Sequence, residues 1–327
     1  MDAELESILA QYDSNQIFVI CSSRSAPPLL YPTFQLEDGE AAKSLAMAEE
    51  LWKWLTEHDA TRKALLINIG GGTVCDLGGF VAATYLRGID YINIPTTLLA
   101  MVDASIGGKT GINLGGLKNR VGAFYPPKAV LTDMRYLETL PPEEILSGYS
   151  EILKCGLLEG RAVFGQAAQS LENFMNGSQE AVSMEVIASA RAYKEHIVAS
   201  DSREDGLRKV LNFGHTAGHA LEEKTHAKHG YCVMWGMIIE VYLSVIKLGF
   251  PKEILTCLNQ LMLSYYGRPS CNCKEQDELV SLMRKDKKNA QANAINFTLL
   301  RQPGEPLINQ VATDNEIREG IEYLFSL

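Results

Sequence analysis

Between residues 64 and 86 the chain reads ALLINI, then Gly70-Gly71-Gly72-Thr73, then VCDLGGFVAATYL. A short, nearly continuous apolar run is the pattern of a strand buried on both faces, as in a parallel sheet with helices packed above and below. Strand, glycines and helix in that order confine the chain to an α/β architecture. Backbone N–H groups and a helix N-terminus are there presented to a phosphate-bearing ligand. The spacing is not the strict GxGxxG fingerprint, and a tight turn needing positive φ would use the same residues. Asp76, in the first turns of that helix, is placed to cap it or to meet a ligand hydroxyl.

The surrounding pattern extends the α/β reading. Residues 2–12 are expected to form a short helix, QIFVIC (16–21) a buried strand and SSRSAPPLLYP (22–32) a loop. Apolar residues at Leu45, Ala48, Leu51 and Leu55 have helical spacing. YINIP (91–95) is another buried strand, and Thr96-Thr97 opens a loop or helix. Gly108-Lys109-Thr110 resembles the end of a P-loop, but the glycine that motif needs five positions earlier is Asp103. A P-loop is therefore rejected. Lys109 and the Lys118-Asn119 pair are expected on glycine-flanked loops, where cations suit a phosphate or carboxylate. A last strand is expected within VGAFYPPKAVLTD (121–133). Beyond Tyr136 helices dominate, at 163–175, 180–199, 209–226, 231–248, 252–264 and 275–286, followed by a strand at 294–300 and a closing helix. The domain boundary is placed at 135/136.

The second half holds an unusual concentration of histidine. Five of the six histidines lie between Lys194 and His229, with Arg208 and Asn212 just ahead of His215. On a helix His215 and His219 share a face, which is ligand-like spacing for zinc or another divalent ion, although a polar surface helix would look the same. Glu151 and Lys154, three apart on an earlier helix, also share one side. The formal net charge of −10 and the lack of a long basic run argue against nucleic acid as the main partner. Seven scattered cysteines fit a reducing compartment, no leader is evident ahead of the acidic DAELES, and no apolar run is read as a membrane span. A cytoplasmic protein with no membrane partner is expected.

Several of these stretches, IGGGTVCDLGGFVAATYLRG, IPTTLLAMVDASIGGKTGIN, GLKNRVGAFYPP, YSEILKCGL, LNFGHTAGHALE and HG followed by GM, resemble 3-dehydroquinate synthase, a sugar phosphate cyclase. The likeness runs from about residue 39 to 300 in unbroken order. It implies a Rossmann-like α/β NAD-binding domain over 1–135 and a mainly α-helical metal- and substrate-binding domain over 136–327. It further implies an NAD- and zinc-dependent carbon–oxygen lyase, with cobalt as an alternative metal. Such an enzyme converts the sugar acid phosphate DAHP to 3-dehydroquinate and phosphate in the shikimate pathway of aromatic amino acid biosynthesis.

By resemblance the metal ligands are Glu151, His215 and His229, and His219 becomes a substrate-contacting histidine. Lys109, Asn119 and one of Lys287 or Lys288 match phosphate-binding positions, with Arg87 reaching in from the second subunit of a homodimer. Lys154, Lys194, Arg208 and Asn212 match positions for the substrate carboxylate and hydroxyls, and Glu204 a position near the site. For NAD the matches are Gly70, Gly71, Gly72, Asp76, Thr96, Thr97, Asp103, Lys118 and Thr139, with Glu40 and Lys43 in a GExxKS segment. The chain departs from the family in a short N-terminal region without the TDxN-like turn, and in Ser202 where a glutamate is usual. Rival readings are another sugar phosphate cyclase, a metal-dependent polyol dehydrogenase of related fold, and a non-catalytic homologue.

Overall fold

A computed structural model describes residues 2–23, 30–177, 182–272, 275–285 and 295–327. The chain divides into two compact units, Met1–Ile145 and Leu146–Leu327. This places the division ten residues beyond the change of pattern read from the sequence, inside a helix.

The first unit is built on a five-stranded parallel sheet in the order β2-β1-β3-β4-β7. Its strands are β1 (Ile17–Ser22), β2 (Thr33–Leu36), β3 (Leu65–Gly70), β4 (Asp90–Pro95) and β7 (Ala129–Val130). Strand alternation sends Phe18, Ile20 and Leu66 to one face, packed with Leu51 and Leu55 of α2 (Leu45–Glu57) and Leu77 and Val81 of α3 (Gly72–Thr84). Ile17, Val19, Leu65, Ile67 and Ile92 face the other way, against α1 (Asp2–Leu9) and Leu131. Both faces are thus covered, which explains why β3 reads as apolar throughout except at Asn68. Asn68 stands opposite Asn93 on β4, and the two amides bond at 3.0 Å. The Asn93 amide then donates to Ser105 O, and of this buried pair only Asn68 Oδ1 accepts no hydrogen bond.

The last strand differs from expectation. Residues 121–124 belong to β6 (Leu117–Phe124), which pairs antiparallel with β5 (Lys109–Leu114) in a separate ribbon. Only the two residues of β7 close the sheet. The cause is Gly115-Gly116, whose φ values of 59° and 78° make the two-residue turn that an antiparallel ribbon requires. Lys109, Lys118 and Asn119 therefore sit on strands rather than on loops.

In the second unit the helices are the greater part of α4 (Pro142–Glu159), then α5 (Arg161–Met175), α6 (Met184–Ser200), α7 (His215–Thr225), α8 (His229–Leu248), α9 (Lys252–Leu261), α10 (Gln276–Arg284) and α11 (Asp314–Ser326). Pro142 occupies the first turn of α4, where its missing N–H costs nothing. Ser183 caps α6, and Thr313 with Glu316 forms a capping box on α11. The helix expected over 209–226 is broken. Leu207–Asn212 is a 3-10 turn, and Gly214 at φ 77° turns the chain before α7 begins. A strand not anticipated, β9 (Pro306–Val311), pairs antiparallel with β8 (Asn296–Leu300).

The unit is organised around α8. By length and composition alone this helix could cross a bilayer, but 67% of its most apolar window is buried. It packs against α7, α9, α11 and β8, as the core helix of a globular unit does.

Candidate functional site

In the first unit the glycines at the end of β3 make room rather than contacts. A Cβ at Gly70 would lie 2.7 Å from Val74 Cβ, at Gly71 3.2 Å from Thr97 Cγ2, and at Gly72 3.2 Å from Ala104 Cβ. Thr96 N–H donates to Gly70 O at 3.0 Å, so the loops leaving β3 and β4 are tied side by side. The N-terminus of α3 opens there, with the geometry that receives an anion. Thr97 Oγ1 accepts from Ala100 N–H at the start of a wide π-type turn, Ala100–Ala104, which carries the half-buried Asp103.

Beside it lies a charged network. Lys43 is buried and donates to Asp76 at 2.6 Å, with Glu40 3.7 Å away. Glu40 also accepts from Thr73 Oγ1 at 3.2 Å and from Asn113 Nδ2 at 2.9 Å. Asn113 Oδ1 in turn accepts from the backbone N–H of Asn119. Four expected residues, Glu40, Lys43, Asp76 and Asn119, are thereby joined. Thr73 and Asn113 complete the set and were not singled out from the sequence. Lys109 and Lys118 lie exposed on the β5–β6 ribbon, and Thr139 is exposed in the turn before α4. Arg87 is exposed at the end of a 3-10 turn and holds a left-handed φ of 69°.

In the second unit three side chains from three helices converge. Glu151 of α4 is fully buried. Its Oε1 lies 3.5 Å from His215 Nε2 and 3.4 Å from His229 Nε2. Two ligand atoms each about 2.1 Å from a tetrahedral ion are about 3.4 Å apart, so these separations fit a zinc-sized ion with little adjustment. All three ligand atoms fall within 4.8 Å of one another. The imidazole tautomers agree with this. His215 Nδ1 donates to Phe213 O and His229 Nδ1 donates to Glu222 Oε2, both at 3.0 Å. An oxygen acceptor on each Nδ1 leaves each Nε2 to a metal, the arrangement that orients ligating histidines.

Glycines bring the helices together. A Cβ at Gly236 of α8 would lie 2.7 Å from Gly218 N of α7, and one at Gly230 would strike Ser147 of α4. Gly230 N–H also donates to Ser147 Oγ.

The site's electrostatics follow from burial among carboxylates. Burial alone would depress the His229 pKa, but its hydrogen bonds to the Glu151 and Glu222 carboxylates, with their negative charges, outweigh it and raise the value to about 10. Lys154 pairs with Glu151 and donates to Leu211 O at 2.9 Å. His219 stands one turn after His215, its ring 5.4 Å from that of His215 and 6.2 Å from that of His229. The HxxxH pair thus shares a helix face, while the buried carboxylate bridges His215 to His229.

Lys194 and Arg208 are both buried in this unit. Arg208 is set by a loop wound on Asp201, whose carboxylate accepts from the backbone N–H groups of Gly206, Arg208 and Asp205. Those bonds, chiefly that from Gly206, bring the Asp201 pKa down to about 2. Arg208 also donates to the backbone O of Ser202, a role indifferent to the side chain at that position. Glu204, at a left-handed φ of 64°, accepts from Asn212 Nδ2 at 2.8 Å. Lys287 and Lys288 lie outside the described residues.

Comparison with known proteins identifies the family and the fold. Residues 33–147 match the family model for the 3-dehydroquinate synthase N-terminal domain, and residues 148–289 that for its C-terminal domain. A 3-dehydroquinate synthase of Parabacteroides distasonis is 40% identical, the alignment covering 99% of this chain and 95% of that one. Among solved structures, 2-epi-5-epi-valiolone synthase from Streptomyces hygroscopicus, with NAD+ and Zn2+ bound, superposes with a TM-score of 0.84 at 22% identity, covering 97% of this chain and 92% of the other. A 2-deoxy-scyllo-inosose synthase complexed with carbaglucose-6-phosphate, NAD+ and Co2+ gives 0.79 at 23% identity, with 98% and 94% covered. These two show the fold.

Proposed function

Because this chain belongs to the 3-dehydroquinate synthase family, we propose that it converts DAHP to 3-dehydroquinate and inorganic phosphate, as a lyase that uses NAD and a divalent metal. The observation that carries the reading is the convergence of the Glu151 carboxylate with two imidazole Nε2 atoms whose Nδ1 positions are already taken. Zinc, or cobalt, is the metal these one-carboxylate, two-imidazole donors suit. When bound, NAD supplies a reversible hydride acceptor and the metal supplies Lewis acidity toward a substrate hydroxyl.

The chain's own residues bind and orient. Gly70, Gly71 and Gly72 admit the cofactor pyrophosphate to the α3 N-terminus, with Thr96 and Thr97 alongside. Asp76, Glu40 and Lys43 form the charged wall for its ribose, and Asp103, Lys118 and Thr139 complete the cofactor set. His219 holds or moves a proton at a substrate oxygen. Lys154, Lys194, Arg208 and Asn212 hold the substrate carboxylate and hydroxyls, with Glu204 orienting Asn212. Lys109, Asn119 and Lys287 or Lys288 take the phosphate, and Arg87 serves the partner subunit of a homodimer. A reaction that borrows and returns a hydride leaves no net NADH. The protein is read as cytoplasmic.

Family membership favours this reading over the rivals, and the assay separates them. Phosphate release is expected from DAHP, with sedoheptulose 7-phosphate and glucose 6-phosphate inert and no NADH accumulating. Preferred turnover of either other sugar phosphate would reassign the enzyme to a different cyclase. NADH accumulation with a simple polyol would make it a dehydrogenase.

A further inference from the structure

Beneath the first turn of α7 lies a carboxylate that none of the preceding roles employs. We propose that Glu240, halfway along α8, is a positioning residue that caps α7 from outside and so sets how tightly His215 holds the divalent ion. The inference rests on the reading of Glu151, His215 and His229 as metal ligands.

Helix α7 starts at His215 and is preceded by Gly214, which has no side chain with which to cap the exposed N–H groups. Glu240 supplies what is missing. It is fully buried, its Oε2 accepts from Gly214 N–H at 2.7 Å, and its Oε1 accepts from Thr216 N–H at 3.1 Å and Ala217 N–H at 3.3 Å. Both oxygens act as acceptors, as a carboxylate does. The close approach of Gly236 and Gly214 brings the two helices near enough for this.

Two consequences follow for the metal. The bonds to residues 214 and 216 flank His215 on both sides, so its backbone is located relative to α8. That same helix carries His229 at its first position. One rigid element therefore presents one ligand and fixes the backbone of the other. The second consequence is electrostatic. A helix N-terminus carries partial positive charge, which disfavours a cation held by the helix's first residue. The Glu240 carboxylate offsets that charge.

The test compares Glu240→Gln with Ser244→Ala. Ser244 is equally buried on α8 and bonds Glu240 O and Leu300 N–H, but it leaves the α7 cap intact. Zinc affinity is measured by competition with a chromogenic chelator, together with kcat and KM for DAHP. Glu240→Gln should weaken zinc binding by roughly 10–100-fold, the range for residues that orient metal ligands, and lower kcat more than it raises KM. Ser244→Ala should keep zinc affinity within about twofold of the unmodified protein, the size expected of a change remote from the ligands. Unchanged affinity in Glu240→Gln, or equal weakening in Ser244→Ala, would overturn the proposal. His215→Ala distinguishes the two levels: if it binds zinc as tightly as the unmodified protein, the metal reading itself fails. Should Glu240→Gln not fold, hydrogen exchange on the unmodified protein decides. Zinc should then slow exchange of the Gly214, Thr216 and Ala217 amides, because coupling between sites is reciprocal. Exchange at those amides indifferent to zinc would count against the coupling.

Discussion

His229 sits between two carboxylates, and that placement governs how the centre responds to pH. Its raised pKa of about 10 means that the metal-free protein keeps it protonated at neutral pH. A protonated imidazole cannot ligate, so zinc must displace that proton. Zinc affinity should therefore rise with pH, about tenfold per unit up to the region of pH 10, as calorimetry in buffers of differing ionisation enthalpy would show. The sign for stability is opposite. The charged His229 stabilises the metal-free fold fully below about pH 6.5, the value for an unperturbed imidazole, and this contribution is lost as pH climbs through about 10. The melting temperature of chelator-stripped protein should fall over that interval, and a constant value would contradict the assignment. His219 differs in kind. Its replacement by alanine should leave zinc retention intact while lowering turnover by about 10²–10⁴-fold, the range for a general acid or base. The histidine spacing alone pairs His215 with His219. Only the resemblance points to Glu151 and His229, because nothing local reveals which helices will meet.

At the scale of elements, the decisive devices are helix contacts made through glycine. Gly236→Ala would press a methyl group onto the Gly214–Gly218 backbone and push α7 away from α8. A cost of about 1–3 kcal/mol is expected for such overpacking, with a matching loss of zinc affinity. Gly165 of α5 offers the control, since a Cβ there meets nothing within 4 Å. Gly165→Ala should stabilise by about 0.5–1 kcal/mol through helix propensity alone. Thermal melts of the two variants moving in the same direction would refute the packing account. These contacts also mark the limit of reading by pattern. The strand–glycine–helix unit was legible because burial on both faces leaves a local signature. The break at Gly214 was not, since it goes with a close approach to α8 that no local pattern reveals: a Cβ there would lie 2.6 Å from Met237 Cγ and 3.1 Å from Val233 O. Likewise sequence reasoning takes the start of the β5–β6 ribbon as glycine-flanked loops and its end as part of a last strand within 121–133, although Gly115-Gly116 is the available signal for a hairpin. Thr73, Asn113 and Glu240 have partners distant in sequence, and no spacing rule finds them.

For the whole molecule, the sequence order of motifs carried the family, and the family carried the residue roles. Each unit supplies a coherent chemistry: glycines and a charged network in the first, a carboxylate with two oriented imidazoles and buried cations in the second. We propose a homodimer in solution, with Arg87 serving the partner subunit. Sedimentation should give twice the chain mass, and Arg87→Ala should raise KM for DAHP while zinc binding stays unchanged. A fully active monomer would remove that role from Arg87. The most direct measurement is a zinc titration of chelator-stripped protein, following phosphate release from DAHP in the presence of NAD. The account predicts activity that grows with zinc to one equivalent per chain, and neither binding nor activity in His215→Ala. Full turnover without metal, or an undiminished response in that variant, would contradict it.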